Sequence, residues 1–436
     1  MSWILDTIAA HKAGHSVGVY SVCSANEHVL NAAIDVALAH GSGLLIESTS
    51  NQVDQFGGYT GMQPALFRDW VLGLAAARGL AAERLALGGD HLGPNAWQSL
   101  PAEAAMGHAR DLIAAYVEAG FEKIHLDCSM RCADDPAVLS DDTIAVRSAQ
   151  LCAVAEAAAR RAGRPAPVYV IGTEVPVPGG ETGEGSGASG IAVTAVAAAA
   201  RTVAVHREAF ERAGVGAAWP RVLALVVQPG VDFDHSAVLH YRPEQAAALA
   251  EFGRTELPGM VFEAHSTDYQ TEAALHRLVH DHFAILKVGP AVTFALREAW
   301  FALSAIEAQL LPPEARADLP AVLERRMLAQ PGHWQKYYGG DAAQQRLLRQ
   351  FSLSDRCRYY WADAEVQAAL QRLLANLDGV QIPLPLLSQY LPEQHEAVVQ
   401  GQLLPRARAL AEHRVGQLLG RYARACQHNR HEGAPS

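Results

Sequence analysis

The chain has 436 residues, of which half are hydrophobic and 19% are charged, and its formal net charge is −11. This composition excludes a mainly disordered protein, and the negative charge disfavours a nucleic-acid partner because phosphate binding requires a basic surface. No apolar run approaches ~18 residues, so we expect no membrane span.

A repeating strand–helix rhythm occupies residues 1–310. Each unit consists of a short β-branched run, a polar loop and an Ala/Leu-rich amphipathic stretch. The predicted strands are Ser16–Ser24, Gly43–Thr49, Leu85–His91, Lys123–Ser129, Val168–Val175, Val222–Gln228, Met260–Ser266 and Phe283–Gly289. The predicted helices are His28–Ala39, Pro64–Arg78, Pro101–Ala119, Asp141–Ala162, Ile191–Ala213, Pro243–Phe252, Thr271–Val279 and Ala291–Gln309. Eight such units predict a (β/α)8 TIM barrel, whereas the alternative, an open doubly wound sheet, lacks a Gly-x-Gly-x-x-Gly turn after the first strand.

The rhythm changes after Leu311, where Pro312 and Pro313 interrupt the chain. The residues that follow lack strand-like alternation and are typical of helices separated by aromatic loops. We therefore expect a two-part chain, with a barrel in residues 1–310 and a C-terminal helical extension in residues 311–436.

Polar side chains stand at the carboxyl end of every predicted strand. In a TIM barrel these ends form one rim, and active sites lie there. Asp90 and His91 share the end of the third strand. Because neighbouring strand residues face opposite sides, this end must bend for both side chains to reach the pocket, and Gly88, Gly89 and Gly93 permit the bend.

The strand ends also supply candidate metal ligands. We predict that His91 and His265 bind a divalent ion such as Zn²⁺, Mn²⁺ or Co²⁺. A salt-bridged turn is the alternative for Asp90 and His91. Glu174 is predicted to bind the ion or to act as a base, and otherwise to cap a neighbouring group. Gln228 is a less usual ligand, and a purely hydrogen-bonding role is equally open.

Two residues are candidates for proton transfer or covalent chemistry. Asp90 is predicted to act as an acid or base. Lys287 is either the Schiff-base nucleophile of a metal-free aldolase or a charge partner, and we favour the charge partner. The predicted substrate-binding residues, which stand at or just after the strand ends, are Ser24, Glu47, Asn51, Gln52, Asp127, Ser266 and Asp268.

Several other chemistries find no support in the sequence. The chain contains no Gly-x-x-x-x-Gly-Lys-Ser/Thr nucleotide loop. Its six cysteines include no Cys-x-x-Cys pair, so neither a disulfide scaffold nor a zinc site of that kind is expected. The segment Met1–Lys12 lacks the pattern of a secretion signal, so we expect a cytoplasmic location.

Six long motifs resemble the Z-type subunit of tagatose-1,6-bisphosphate aldolase. They are Ser-Thr-Ser-Asn-Gln-Val-Asp-Gln-Phe-Gly-Gly-Tyr-Thr-Gly-Met (48–62), Gly-Gly-Asp-His-Leu-Gly-Pro-Asn (88–95), Lys-Ile-His-Leu-Asp-Cys-Ser-Met (123–130), Ile-Gly-Thr-Glu-Val-Pro-Val-Pro-Gly-Gly (171–180), Glu-Ala-His-Ser-Thr-Asp-Tyr-Gln-Thr (263–271) and Ile-Leu-Lys-Val-Gly-Pro (285–290). The resemblance continues through Arg-Tyr-Tyr-Trp (358–361) and Ile-Pro-Leu-Pro-Leu (382–386), so it covers nearly the whole chain.

The resemblance implies a barrel related to the metal-dependent class II aldolases. Those enzymes place histidine ligands after strands three, six and seven, with an aspartate before the first of them. Asp90, His91 and His265 match this arrangement, whereas Gln228 stands where the strand-six histidine would be, and Glu174 would compensate. The Gly-Gly-Ser-Gly phosphate loop of class II aldolases is replaced here by His-Ser-Thr-Asp (265–268), which disfavours bisphosphate cleavage.

Three functions follow from the resemblance. The first is a metal-dependent 4-epimerase that interconverts tagatose and fructose, free or as 6-phosphates. The second is an accessory subunit, without its own catalysis, that activates and stabilises a separate tagatose-bisphosphate aldolase. The third and weakest is a tagatose-6-phosphate kinase, because no nucleotide-cradling motif is present. The expected partners are thus a ketohexose or its phosphate, an aldolase subunit in the second case, and further copies of the chain in a homo-oligomer.

Overall fold

Eight parallel strands form a closed barrel in the computed structural model, which describes residues 2–173 and 191–427. In chain order, all strands including a small hairpin are β1 (Val19–Cys23), β2 (Leu44–Thr49), β3 (Leu85–Leu92), β4 (Lys123–Leu126), β5 (Val168–Ile171), β6 (Val222–Val227), β7 (Asp232–Phe233), β8 (Val238–Leu239), β9 (Val261–Ala264) and β10 (Ile285–Val288). The order around the barrel is β1-β10-β9-β6-β5-β4-β3-β2, and β7 pairs only with β8. The predicted TIM barrel is confirmed.

Fifteen described α-helices surround the barrel and form most of the region after it. They are α1 (Ser2–Lys12), α2 (Glu27–His40), α3 (Pro64–Arg78), α4 (Ala102–Ala119), α5 (Asp141–Ala162), α6 (Val196–Arg212), α7 (Pro243–Glu256), α8 (Glu272–His280), α9 (Pro290–Leu310), α10 (Leu319–Ala329), α11 (Ala342–Phe351), α12 (Ala364–Asp378), α13 (Leu384–Tyr390), α14 (Pro392–Val399) and α15 (Ala407–Cys426). Across residues 2–173 and 191–427, none of these helices combines the length and apolar character that crossing a membrane would require.

Local sequence signals set the helix ends. In α2, for example, the side chain of Asn26 accepts hydrogen bonds from the backbone nitrogens of His28 and Val29, which satisfies two otherwise unpaired donors. The same helix ends at Gly41, whose φ of 65° lies in the left-handed region that glycine adopts without strain.

Two apolar layers hold the barrel. The outer faces of the strands pack against the surrounding helices in one large core. Inside the barrel, at the amino ends of the strands, a second cluster includes Val19, Leu45 and Ile285. Ile4 and Ile8 of α1 pack against this second cluster, so α1 closes the amino-terminal end of the barrel. Apolar packing therefore fills one end and leaves polar chemistry to the carboxyl end.

The residues after 310 fold back onto the barrel. The described part of this region contains helices and no strand, and α15 packs against α2, α8 and α9. The backbone nitrogen of Gly18, just before β1, donates a hydrogen bond to the carbonyl of Cys426. The division of the chain at residue 310 stays a prediction, because α15 makes part of the barrel's outer helical layer.

Stability should fall with acidity because of one buried histidine in α6. His206 is fully buried, its Nδ1 donates to the carbonyl of Thr202 over 2.9 Å, and burial lowers its pKa to about 4. In the unfolded chain a histidine titrates near ~6.5. Between these values the unfolded state binds more protons, so this residue removes about 1.4 kcal/mol of unfolding free energy per pH unit as pH falls.

Urea unfolding between pH 4.5 and 6.5 tests this expectation. The slope of unfolding free energy against pH should be shallower in His206→Leu than in the wild type, by about one proton. The matched control is His240→Leu, because an exposed side chain has nearly the same surroundings in both states. Equal slopes in the wild type and His206→Leu would contradict the account.

Candidate metal centre and active site

Four ionisable side chains converge inside the carboxyl end of the barrel. Asp90, His125, Glu263 and His265 each offer one ligand atom, and these atoms lie within 4.8 Å of one another. All four residues are buried. They come from β3, β4 and the end of β9, whose inward-facing positions alternate along each strand. The barrel therefore gathers two carboxylates and two imidazoles from distant parts of the sequence.

Asp90 is an ionised carboxylate at the centre of this group. Its Oδ1 lies 3.0 Å from Lys287 Nζ and 3.1 Å from His125 Nδ1. Burial alone would raise the pKa of Asp90, but the charges of His91 and Lys287 and the contact with His125 hold it well below its usual range. Among the described residues, its Oδ2 contacts the weak thiol donor of Cys23, at 3.6 Å, and His91 Nε2, at 3.8 Å.

The two histidines of the cluster present nitrogen atoms suited to a metal ion. His265 Nε2 donates to Glu263 Oε1 over 3.0 Å, and burial lowers the pKa of His265 to about 4, so the ring is neutral at neutral pH with its lone pair on Nδ1. His125 Nε2 is buried and has no hydrogen-bond partner among the described residues. His125 Nδ1 lies 3.1 Å from Asp90 Oδ1 and 3.2 Å from the backbone nitrogen of His91, and in the tautomer that donates to Asp90 the Nε2 atom carries a lone pair.

His91 flanks the cluster and is held by a carboxylate. Its Nδ1 lies 2.7 Å from Asp127 Oδ2, and its ring centroid lies 5.0 Å from that of His265. Asp127 Oδ1 in turn accepts from the backbone nitrogen and hydroxyl of Ser129. Burial would lower the pKa of His91, but Asp90 and Asp127 raise it. A carboxylate on Nδ1 leaves Nε2 free, which is typical of metal-binding histidines; His91 as a ligand stays a prediction.

Two buried lysines neutralise the carboxylates beneath the cluster. Lys123 Nζ lies 2.7 Å from Glu47 Oε1 and 2.7 Å from Glu263 Oε2. Lys287 Nζ contacts Glu47 Oε2 as well as Asp90. Burial would lower the pKa of Lys287, but Asp90 and its other acidic neighbours raise it well above its usual range. An ammonium group of this kind fits a charge partner, whereas a Schiff base requires a free amine.

The donor set fits a divalent ion. Three carboxylates, those of Glu47, Asp90 and Glu263, face two ammonium groups, so the group keeps one uncompensated negative charge. Imidazole nitrogens and carboxylate oxygens match the ligands that Zn²⁺, Mn²⁺ and Co²⁺ accept. His125, Glu263 and His265 would hold the ion, with the Asp90 carboxylate beside it and His91 as the neighbouring imidazole.

A cleft opens from this centre, with about 710 Å³ of empty space including its open mouth. Most of the residues predicted from the sequence line it, namely Asn51, Gln52, Asp90, His91, His265, Ser266, Asp268 and Lys287. Asp268 Oδ1 accepts from the backbone nitrogens of Gly289 and Ala291, and burial raises the pKa of Asp268 to about 6. It therefore holds the start of α9 at the edge of the cleft.

Four of the predicted residues that the structure describes lie elsewhere. Ser24 lines an adjoining cleft, while Glu47 and Asp127 lie behind the surface as partners of lysine and histidine. Gln228 Oε1 accepts from the backbone nitrogens of Gly230 and Val231, so its hydrogen-bonding role is observed and the structure does not bring it to the cluster. Glu174 lies outside the described residues.

Sequence reasoning did not select His125, Glu263 and Lys123 for the site. The signal was present, because Lys123 and His125, like Glu263 and His265, are two residues apart and so face the same side of a strand. If the alternation of inward and outward side chains is followed along the whole strand, and not only at its last residue, it predicts that Lys123, His125 and Glu263 all face the inside of the barrel. Their pairing across the barrel depends on register between strands.

The bend expected at the end of β3 is present. The pairing of β3 with β4 shifts between Gly89 and Leu92, and His91 has a φ of 50°. Gly93 then passes so close to β4 that an added Cβ would lie 1.7 Å from the carbonyl oxygen of Asp127. The absence of a side chain at this position allows Asp127 to meet His91.

We expect Gly93→Ala to lower the unfolding free energy by about 3 kcal/mol, because the methyl group would force Asp127 away from β3. Urea unfolding measures the change. Gly73→Ala is the matched control: no atom lies within 4 Å of its added Cβ, and in the helix α3 it should stabilise by about 0.5–1 kcal/mol. Equal stability of Gly93→Ala and wild type would contradict the close approach.

This chain is similar in sequence and fold to known proteins. A family model described as D-tagatose-1,6-bisphosphate aldolase subunit GatZ/KbaZ-like matches residues 4–427. A solved structure of a probable tagatose 6 phosphate kinase from Sinorhizobium meliloti 1021 is 48% identical, with a TM-score of 0.86 over 94% of this chain and 100% of that chain.

Two more distant solved structures also align. The fructuronate-tagaturonate epimerase UxaE from Cohnella laeviribosi is 12% identical, with a TM-score of 0.49 over 95% of this chain and 82% of its own. The fructose-bisphosphate aldolase Fba from Campylobacter jejuni is 14% identical, with a TM-score of 0.44 over 87% and 95%. The family model, which spans nearly the whole chain, decides the assignment: this protein belongs to the GatZ/KbaZ-like family of D-tagatose-1,6-bisphosphate aldolase subunits.

Proposed function

We propose that this protein is a metal-dependent 4-epimerase that interconverts the tagatose and fructose forms of a ketohexose or its 6-phosphate. The observation that carries the proposal is the convergence of Asp90, His125, Glu263 and His265 at one end of an open cleft, which Asp90 and His265 line. A divalent ion held there would polarise the substrate carbonyl at C2 and stabilise negative charge on its oxygen.

The chain's own groups account for the proton transfer. Oδ1 of Asp90 is occupied by Lys287 and His125, so Oδ2 is the oxygen free to accept the proton of the C4 hydroxyl. The C3–C4 bond then breaks, leaving an aldehyde at C4 and an enediolate across C2 and C3. The aldehyde rotates, the bond re-forms on its other face, and Asp90 returns the proton. No oxidant or reductant is consumed, and only the configuration at C4 changes.

Neighbouring residues prepare Asp90 for this step. The ammonium of Lys287 and the imidazole of His91 keep the carboxylate ionised, so it is in the accepting state over the whole neutral range. Its low pKa limits its strength as a base, and an ion held by the cluster would supply the acidification of the substrate hydroxyl that offsets this. Glu174 remains the alternative base from the sequence.

An accessory role is the second candidate, favoured by one specific observation. Lys123 and Lys287 pair with Glu47, Glu263 and Asp90, so most of the charge in the barrel is compensated by the chain itself. A barrel of this kind is a stable scaffold that needs no ion to fold, and its outer surface would then bind a separate aldolase subunit. The 48% identical relative is named a probable tagatose 6 phosphate kinase, but the sequence of this chain contains no Gly-x-x-x-x-Gly-Lys-Ser/Thr nucleotide-binding motif.

Turnover by the isolated chain distinguishes these functions. The protein is purified alone, stripped of metal, and supplied with Mn²⁺, Zn²⁺ or Co²⁺ together with tagatose, tagatose 6-phosphate or the 1,6-bisphosphate. Chromatography should reveal the C4 epimer, and Asp90→Asn should abolish its formation. No epimer from any substrate, combined with a several-fold increase in the rate of an added aldolase, would favour the accessory role. ATP consumption with tagatose 6-phosphate would favour the kinase.

A further inference from the structure

One arginine from the C-terminal extension reaches the cleft of the barrel. Arg358 lies in the short helical turn Arg356–Tyr360 and lines the same cleft as His91 and His265. The turn begins at Asp355, whose φ of 44° reverses the chain there. A residue far from the barrel strands in sequence is therefore part of the wall that a substrate would touch.

Within residues 2–173 and 191–427, the guanidinium of Arg358 forms no close ion pair, and the carboxylate of Asp355 acts on it only at longer range. Among the described residues, no carboxylate oxygen lies within 4.0 Å of it, whereas Lys287 and Lys123 in the same barrel each pair with carboxylates. Its hydrogen bonds go to neutral oxygens: Nη1 donates to the carbonyls of Ser354 and Asp355, and Nη2 donates to the hydroxyl of Tyr359. These bonds fix the group without neutralising it.

Aromatic rings hold this positive charge in place. The guanidinium carbon of Arg358 lies 4.4 Å from the ring centroid of Tyr359, and Tyr59, which follows β2, packs edge-on against Tyr359 at 5.0 Å. Arg356, on the same turn, lies over Tyr337 and likewise has no carboxylate partner among the described residues. Two arginines that lack a close carboxylate among the described residues thus stand together in a protein whose net charge is −11.

Charged groups that are partly removed from water are normally paired, and a planar guanidinium matches the oxygens of phosphate or carboxylate in a two-point contact. The counter-ion missing from Arg358 would therefore arrive with the ligand. The negatively charged cluster at the inner end of the cleft attracts a cation, while Arg358 at its side attracts an anion. The cleft therefore has a negative region and a positive region.

We propose that Arg358 binds a terminal oxyanion on the substrate, which makes the natural ligand a ketohexose bearing a phosphate or carboxylate at the end remote from its carbonyl. This inference rests on the proposed function for the orientation of the sugar, since the carbonyl end faces the metal cluster. It deepens that function by assigning substrate selection to the C-terminal extension. Arg358 touches the substrate without entering the carbon–carbon bond chemistry.

Equilibrium binding to the full-length, metal-stripped protein tests the assignment separately from turnover. Isothermal titration calorimetry measures the affinities for tagatose, tagatose 6-phosphate and tagaturonate in wild type, Arg358→Gln and Arg358→Lys. We expect the wild type to prefer one of the charged sugars over tagatose by at least about tenfold, which corresponds to about 1.4 kcal/mol. Arg358→Gln should abolish the preference, and Arg358→Lys should keep part of it, because a point charge remains.

Arg372→Gln, which changes an exposed arginine of the same extension, is the matched control and should keep the wild-type preference. A preference for tagatose 6-phosphate identifies the anion as phosphate, and one for tagaturonate identifies it as carboxylate. Equal wild-type affinities for charged and uncharged sugars, or an unchanged preference in Arg358→Gln, would overturn the proposal. If the protein does not form the epimer but still prefers a charged sugar, the proposed function is wrong and the role of Arg358 in anion binding stands. The calorimetric result therefore distinguishes failure of this proposal from failure of the proposed function.

Discussion

Replacing Lys123 with methionine should lower the unfolding free energy by about 3–5 kcal/mol, a large part of the stability of a typical protein. Lys123 is almost fully buried, and its Nζ lies 2.7 Å from carboxylate oxygens of both Glu47 and Glu263. Burial would lower the pKa of Lys123, but the two carboxylates raise it, so the group is an ammonium. Without it, the two buried carboxylates share one ammonium group, that of Lys287, among the described residues.

Urea unfolding at neutral pH measures this loss. Lys336→Met is the control, because it removes an exposed lysine and should change the unfolding free energy by less than ~0.5 kcal/mol. Adding Glu263→Gln to Lys123→Met should recover part of the loss, since one unpaired charge is removed with its partner. A loss below ~1 kcal/mol in Lys123→Met, or no recovery in the double variant, would contradict a compensated charge network inside the barrel.

Replacing His265 with alanine should weaken metal binding by more than about 100-fold and abolish epimer formation, since even outer partners of metal ligands are worth ~10–100-fold. His265 is neutral at neutral pH, and Glu263 fixes its ring so that the lone pair stays on Nδ1. His125→Gln should act in the same direction, because Nε2 of His125 is the buried nitrogen without a partner among the described residues.

Competition with a chromophoric chelator measures the metal affinity, and circular dichroism verifies that each variant is folded. His276→Ala, on the outer helix α8, is the matched control and should bind metal as the wild type does. Undiminished metal affinity in both His265→Ala and His125→Gln would exclude the cluster as the metal site, whatever the activity.

The sequence was sufficient to predict the barrel and the position of its reactive rim. Period-two runs followed by amphipathic helices repeat eight times, and strand ends such as that of Asp90 and His91 necessarily meet at one rim. The sequence was not sufficient to predict which groups each of these side chains contacts. Whether Gln228 faces a metal or the amides of its own loop depends on the turn after β6, which the residue type does not determine.

Distance along the chain sets the other limit. Lys123, Glu47 and Glu263 form one network because the register of the strands places them at the same depth, and that register is a property of the closed barrel. Arg358 belongs to a helical extension whose path over the barrel mouth has no periodic signature. The charge network inside the barrel and the position of Arg358 therefore depend on tertiary packing, which the local sequence pattern does not determine.

Anomalous diffraction from crystals grown with Mn²⁺ or Zn²⁺ tests the central claim most directly, because it locates the ion independently of activity. The account predicts one strong peak at the carboxyl end of the barrel, within bonding distance of ligand atoms of Asp90, His125, Glu263 or His265. A barrel mouth without such a peak, in crystals whose ions are bound elsewhere on the protein, would contradict it.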